Sequence, residues 1–160
     1  VDYLEGGVLS YRELLVALPI RHGAVPRVHI TDIWVSSEQS RAGGRSLWAI
    51  PKELADLHVE DRRTGPFAHT SWSASKDGTP IAAAAFTGAT GMPLRTPFSF
   101  STAQQREDGS DVLARVTGRA RTLPCLGSWR FGTDGPLAWL SGRTPLLSFR
   151  MTGFDLAFGI

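Results

Sequence analysis

Hydrophobic and polar positions alternate along most of this 160-residue chain. That alternation predicts short strands bounded by turn chemistry. Phe67 to Ala74 is the cleanest case. Phe67, His69, Ser71 and Ser73 share one parity; Ala68, Thr70, Trp72 and Ala74 share the other. Asp77-Gly78 then reads as a hairpin turn, and Thr79 to Thr87 as the returning strand. Its alanines, Ala82 to Ala85, could pass for helix, but Pro80 and the hairpin signal argue strand. Such small side chains let a neighbouring element come close. Tyr11 to Ile20 fits a strand or a short helix by pattern; Pro19 and the glycines before it favour a strand. His22 to Pro26 is a turn. Arg27 to Ser36 is β-rich, and Val28, Ile30, Ile33, Trp34 and Val35 predict a strand buried on much of both faces.

One helix stands out, Glu38 to Trp48. Ser37 is its N-cap, and Glu38 sits in the first turn where the helix dipole favours a carboxylate. Gly43-Gly44 in the middle costs about 1 kcal/mol per glycine against alanine, which predicts close packing on a sheet. Pro51 ends the helix and leaves Lys52 on a loop entering the next strand. Further short strands follow at Asp56 to Asp61, Phe98 to Gln105, Asp111 to Leu123 and Trp129 to Phe131. Gly135 to Leu140 reads as a helical turn with Pro136 at a first helical position. Leu146 to Arg150 and Phe154 to Phe158 close the chain. Arg62 to Pro66, Gly88 to Pro97 and Glu107 to Gly109 are turns or loops. The sum is a mainly β fold, antiparallel, with one or two short helices, in a barrel or sandwich. Residues 1–160 form a single domain on this reading. The chain opens Val1-Asp2-Tyr3-Leu4-Glu5-Gly6-Gly7 without a Met, as the end of a strand entering a glycine turn, so an upstream segment is expected.

Composition narrows the function classes. Charged residues are 20% and the formal charge is +2. Arg115, Arg119 and Arg121 share parity on one strand, which reads as a solvated strand face, with nucleic-acid binding as the minor alternative. The expected partners therefore include no nucleic acid. No apolar run approaches the roughly 20 residues of a membrane span, so no membrane partner is expected. The single cysteine, Cys125, excludes an internal disulfide, fits a reducing, cytoplasmic setting and reads as structural. His22, His29, His58 and His69 lack paired ligand spacing, so no metal and no cofactor are expected. Gly127-Ser128-Trp129 is not a nucleophile elbow, and Gly88-Ala89-Thr90-Gly91 is not a phosphate loop.

Lysine is scarce. Only Lys52 and Lys76 are present among 17 basic residues. Lys76 lies in a hairpin turn, whereas Lys52 follows the apolar run Trp48, Ala49, Ile50 and Pro51. Taken alone, Lys52 reads either as a solvated charge at the helix C-terminus or as an amine kept for chemistry that a guanidinium cannot do. Glu13 sits among Leu14, Leu15 and Val16, two residues from Tyr11. If it points inward it must be paired or protonated.

Gly44-Arg45-Ser46-Leu47-Trp48-Ala49-Ile50-Pro51-Lys52-Glu53 resembles the signature of the acetoacetate decarboxylase family, G-R-E-x-W-G-[FY]-P-K-K. Tyr11-Arg12-Glu13 resembles the family's Tyr-x-Glu strand. Ser36 to Gly43 resembles the helix leading into the motif, and Pro145 to Phe149 with Phe154 to Gly159 resembles the tail of short bacterial members. The resemblance implies an antiparallel cone-shaped β-barrel with the lysine in its cavity, usually a homo-oligomer, acting on a small keto-acid substrate. Lys52 would be the Schiff-base nucleophile and Glu13 the proton shuttle, with Tyr11, Trp48 and Glu53 at the substrate. Acetoacetate decarboxylase is itself the standard instance of a lysine activated by desolvation or a cationic neighbour; here Trp48, Ile50 and Pro51 would desolvate it. Glu53 stands where the family motif has a second lysine, and the family's decarboxylases draw an Arg and another Glu from a more N-terminal region. Relatives that keep the lysine but change the pocket carry out aldol condensation and dehydration. The alternatives to decarboxylation are therefore such a Schiff-base aldolase or dehydratase, a non-catalytic ligand-binding member, or a β-barrel carrier of apolar ligands.

Overall fold

The computed structural model describes residues 1–91 and 93–159. It is mainly β, with ten strands, one α-helix and one 3-10 turn among the described residues. The chain divides into two compact units: Val1–Leu54 with Pro97–Arg119 and the chain from Asp155, and Ala55–Thr96 with Ala120–Phe154.

The first unit is built around β3 (Val25–Val35). It forms a hairpin with β2 (Tyr11–His22), from Glu13↔Val35 to His22↔Val25, and the turn uses Gly23 at φ +61°. A register shift falls between Val16 and Ala17. The short strand β1 (Asp2–Tyr3) adds to β2 at Tyr3↔Tyr11. Ile33, Trp34 and Val35 are buried in succession, as a strand covered on both faces requires. Ile30, Ile33, Val35 and Ile50 form the core here, with Tyr11, Ala17, Trp48 and Phe158 packed on it.

From β3 the chain enters α1 (Glu38–Trp48), whose predicted bounds hold. The Ser40 N–H donates to the Ser37 side chain at 3.3 Å, satisfying an otherwise orphaned helix donor. The helix stops not at Pro51 but at Ala49, which takes the left-handed conformation at φ 52° and donates its N–H back to Arg45 O at 3.2 Å. Lys52 then begins β4 (Lys52–Leu54) rather than a loop. β4 pairs in parallel with β3, and so does β8 (Thr96–Gln105) at Val28↔Thr102. The sheet is therefore mixed where antiparallel pairing was expected. The helix carries the chain back only as far as Ile33, near the end of β3, and a strand placed after such a crossover runs parallel to the first.

The second unit is an antiparallel meander of β5 (Asp56–Thr64), β6 (Phe67–Lys76) and β7 (Thr79–Ala89). Asp77 and Gly78 both take positive φ in its second turn, as a tight two-residue hairpin demands. β7 pairs with the far half of β9 (Asp111–Phe131), from Ala82↔Phe131 to Gly88↔Cys125. The alanines Ala82 to Ala85 pair with Phe131 to Ser128, and the close approach falls farther along, at Gly88. A Cβ on Gly88 would lie 2.8 Å from the Cys125 Cβ. The core of this unit includes Leu57, Ala68, Ala74, Ile81, Ala84 and Leu137. Ala138–Leu140 is a 3-10 turn, and β10 (Phe149–Phe158) pairs with β9. β9 joins the strands expected at Asp111 to Leu123 and Trp129 to Phe131, and β10 joins the end of the one expected at Leu146 to Arg150 with that at Phe154 to Phe158. Among the described residues, no helix is long and apolar enough to cross a membrane, which says nothing of a β-barrel.

Candidate active site

Strand register decides which side chains meet. Residues paired across strands point to the same face, and residues two apart along a strand share it. Leu15, Ile33 and Lys52 form one row across β2, β3 and β4; Glu13, Val35 and Leu54 form the row two residues away. Lys52 and Glu13 thus lie diagonally on one face, separated by β3. Tyr11 continues that face. Glu53 falls in the intervening row with Trp34 and Leu14, so its side chain starts from the opposite face.

The side chains complete what the backbone sets up. Lys52 is 7% exposed and Glu13 5% exposed. The Lys52 Nζ donates to Glu13 Oε2 at 3.1 Å, to Ser40 Oγ at 2.9 Å and to the Tyr11 hydroxyl at 3.4 Å. It also lies 5.1 Å from the centroid of the Tyr11 ring. The Glu13 carboxylate accepts from Tyr11 OH at 3.3 Å on Oε2 and from Tyr3 OH at 3.5 Å on Oε1. The rings of Tyr3 and Tyr11 stack with centroids 4.6 Å apart. Burial, and after it the Glu13 carboxylate, pushes the Tyr3 phenol well above the usual tyrosine range, so it stays a neutral donor. The buried charge pair is accordingly hydrogen-bonded at both ends, the condition for keeping two charges out of water.

Helix α1 sets the lysine stem. Ser40 and Gly44, one turn apart, are its buried residues. A Cβ on Gly44 would lie 2.6 Å from Lys52 Cδ and 2.8 Å from Cε, whereas one on Gly43 would meet nothing within 4 Å. Of the two glycines, Gly44 alone answers to close packing, and what it packs on is the lysine. The sequence reading missed Ser40 and Tyr3. Ser40 carried no distinguishing signal, because Ala42, Gly43 and Ser46 make small side chains common all round this helix.

Trp48 and Glu53, the remaining predicted residues, have other partners. Trp48 packs on the Ile30 core and on Phe158, ring centroids 5.0 Å apart, and Gly159 makes room for its indole. The Glu53 carboxylate pairs with Arg45, whose Nε also donates to the Lys52 carbonyl at 2.7 Å. The histidines are dispersed: His22 meets Asp111, His29 the Ala103 carbonyl, and His69 Thr87. Among the described residues no cluster of three metal-ligating side chains occurs.

Residues 1–130 match the family model of acetoacetate decarboxylase. The chain belongs to the acetoacetate decarboxylase family. The fold agrees. Acetoacetate decarboxylase from Legionella pneumophila superposes at a TM-score of 0.62 and 16% identity, over 94% of this chain and 65% of that one. A second acetoacetate decarboxylase structure gives 0.57 and 16%, over 96% and 67%. The enduracididine biosynthesis enzyme MppR, complexed with the condensation product of pyruvate and imidazole 4-carboxaldehyde, gives 0.58 and 15%, over 95% and 68%. This family member thus spans about two thirds of the length of such structural relatives. Comparison with curated protein sequences gives no match.

Proposed function

We propose that this chain is a Schiff-base-forming lyase acting on a small keto acid. The observation that carries the reading is the Lys52 amine, buried and hydrogen-bonded to Glu13 and Ser40. A lysine kept only for surface charge would turn to solvent. In this reaction Lys52 in its neutral form attacks the keto carbon, and the carbinolamine loses water to give an iminium. The iminium accepts the electron pair of the breaking C–C bond, so CO₂ leaves and an enamine remains. Protonation of the enamine carbon and hydrolysis release the ketone and restore the amine. Glu13 takes the Nζ proton and returns it to carbon, within hydrogen-bond reach of the amine. Tyr11 and Tyr3 hold that carboxylate in place. Tyr11 and Trp48 are the side chains proposed to line the substrate's surroundings, while Glu53, on the opposite face of β4, is proposed to act through its pairing with Arg45.

A second reading has its own support. MppR holds a condensation product of pyruvate in the same fold. With Glu13 as base at an iminium, the same residues serve aldol condensation and dehydration. Either chemistry uses the lysine as its electron sink and calls for no cofactor. The reading is of a single-domain, cytoplasmic enzyme that assembles as a homo-oligomer.

Borohydride trapping tests it. Incubation with acetoacetate or pyruvate and then borohydride is expected to leave a secondary amine at Lys52 that carries the keto acid's carbon skeleton, with water lost on imine formation and CO₂ lost as well where decarboxylation has run. CO₂ release separates decarboxylation from condensation. The proposal fails if no keto acid leaves an adduct, or if Lys52→Ala turns over substrate unchanged.

A further inference from the structure

The second unit carries a cavity of about 440 Å³ that owes nothing to Lys52. It is lined by Arg63 of β5, Arg121 and Leu123 of β9, Arg150 and Thr152 of β10, and the end of β7 with Thr90 and Gly91. Three guanidinium groups converge there, and no carboxylate lines the cavity. Asp61 reaches Arg150 at 3.5 Å from outside the lining. Among the described residues no ion pair neutralises Arg63 or Arg121. Like charges gathered on one concave wall repel one another, and such an arrangement gains stability when an anion fills it.

The walls are built rather than incidental. Arg150 and Thr152 are two apart on β10 and share a face, as do Arg121 and Leu123 on β9. Gly153 takes φ +51°, and a Cβ there would overlap the Arg121 guanidinium. The glycine is what allows that group to lie along the strand. The Thr90 N–H and hydroxyl both donate to the Pro66 carbonyl, at 2.8 and 3.0 Å, which anchors the rim next to Gly91.

We propose that this cavity binds a phosphate-bearing small molecule. Of three positive charges, Asp61 offsets one, leaving two for the ligand. A phosphate monoester carries nearly two negative charges at neutral pH and presents oxygens in the spacing that guanidinium groups grip in pairs. A monocarboxylate would leave one charge unmatched. Thr152 adds a hydroxyl donor, while Leu123 and Ala89 offer an apolar surface for the rest of the molecule. The volume lies within the range of small-molecule sites and exceeds what a bare ion needs.

Titration calorimetry on the full chain tests this, with phenyl phosphate, inorganic phosphate and succinate as probes. Phenyl phosphate is expected to bind with a Kd that rises with salt. Inorganic phosphate is expected to bind more weakly, because it does not use the apolar surface; equal affinity would overturn the claim that the natural ligand is an ester. Arg121→Gln is expected to weaken phenyl phosphate about tenfold. Exposed Arg63→Gln, which disturbs no packing at Gly153, is expected to act in the same direction. Lys52→Ala is expected to leave binding unchanged, so this result stands or falls apart from the Schiff-base chemistry. The proposal is overturned if phenyl phosphate gives no binding, if folded Arg63→Gln binds as the parent does, if succinate binds as tightly, or if Lys52→Ala, shown to be folded, abolishes the signal.

Discussion

The paired glycines of α1 allow one residue's contact to be separated from its neighbour's helix propensity. Replacing either by alanine raises intrinsic helix stability by about 1 kcal/mol. At Gly43 nothing lies within 4 Å of the new Cβ, so that gain is realised in full. At Gly44 the Cβ would stand 2.6 Å from Lys52 Cδ, against 3.4 Å for ordinary contact, so the stem must retreat by about 0.8 Å. That stem ends in an amine tied to Glu13, Ser40 and Tyr11, so it cannot swing away without breaking those bonds. Forcing a methyl into such packing costs about 1–3 kcal/mol. The net effect at Gly44 therefore runs from nil to a loss of about 2 kcal/mol, and the two variants should differ by about 1–3 kcal/mol. For a chain of this length each kcal/mol shifts Tm by about 2–4 °C. Thermal unfolding should place Gly43→Ala above the parent and Gly44→Ala at or below it. In trapping with a keto acid, Gly43→Ala should match the parent. Gly44→Ala should slow by up to about a hundredfold, the scale expected when a reacting group is misplaced by an ångström. Equal Tm values for the two variants would refute the claim that the helix presses on the lysine stem.

Other perturbations probe the same cluster. Lys52→Met leaves Glu13 buried without its cation and should cost about 3–5 kcal/mol, while adding Glu13→Gln should restore much of that, both read by urea unfolding. The raised Tyr3 pKa makes stability fall as pH climbs past the ordinary tyrosine value of 10.0, because the unfolded phenol then loses its proton while the folded one keeps it. Tyr3→Phe should flatten that alkaline decline, and a parent without any decline would contradict the burial of Tyr3. Ala49 holds a left-handed φ of 52° with a Cβ in place, so Ala49→Gly should raise stability by about 1 kcal/mol in a thermal melt. Glu53→Lys should lower stability by no more than about 1 kcal/mol, as an exposed ion pair predicts, and slow trapping at Lys52 by up to about fivefold, the rate equivalent of that loss, as β4 is held less firmly.

The helix was legible in the sequence because its punctuation is local. Ser37, Glu38 and the glycines each act within one turn, and the bounds Glu38–Trp48 follow. β4 was not legible, since three residues carry no periodicity. Nor was the parallel pairing of β4 and β8 with β3, which depends on where the chain returns rather than on what it is made of. The strand expected over Asp111 to Leu123 runs on through Pro124 as β9. The pairing with β7 begins one residue later at Cys125, so the missing N–H removes no bond to that strand. The residues between the strands expected at Leu146 to Arg150 and Phe154 to Phe158 lie inside β10, where Gly153 takes a left-handed φ. Cys125, expected as a structural thiol, is half-buried, and burial pushes it up against the opposing pull of Arg150. At the candidate site, Lys52 and Glu13 were readable as types out of place, one a scarce amine and the other a carboxylate in apolar company. Ser40 and Tyr3 were not, because serine in a polar helix and tyrosine near a terminus look ordinary until the register is known.

Register is also what makes Glu53 intelligible. Side chains alternate along β4, so slipping its pairing by one residue would turn Lys52 away from Glu13 and bring Glu53 round in its place. A three-residue strand has few ladder bonds with which to resist such a slip. Arg45 supplies the resistance. From the last turn of α1 it donates to the Lys52 carbonyl and pairs with the Glu53 carboxylate, gripping consecutive residues of β4 at once. The helix is in turn held at its other end by Ser40, which meets the amine itself. A lysine at position 53 would meet Arg45 as a like charge and loosen that grip, while lying on the far side of the strand from the reacting amine. The glutamate that departs from the family motif therefore does not place a second carboxylate at Lys52. It closes the clamp that keeps Lys52 facing the first.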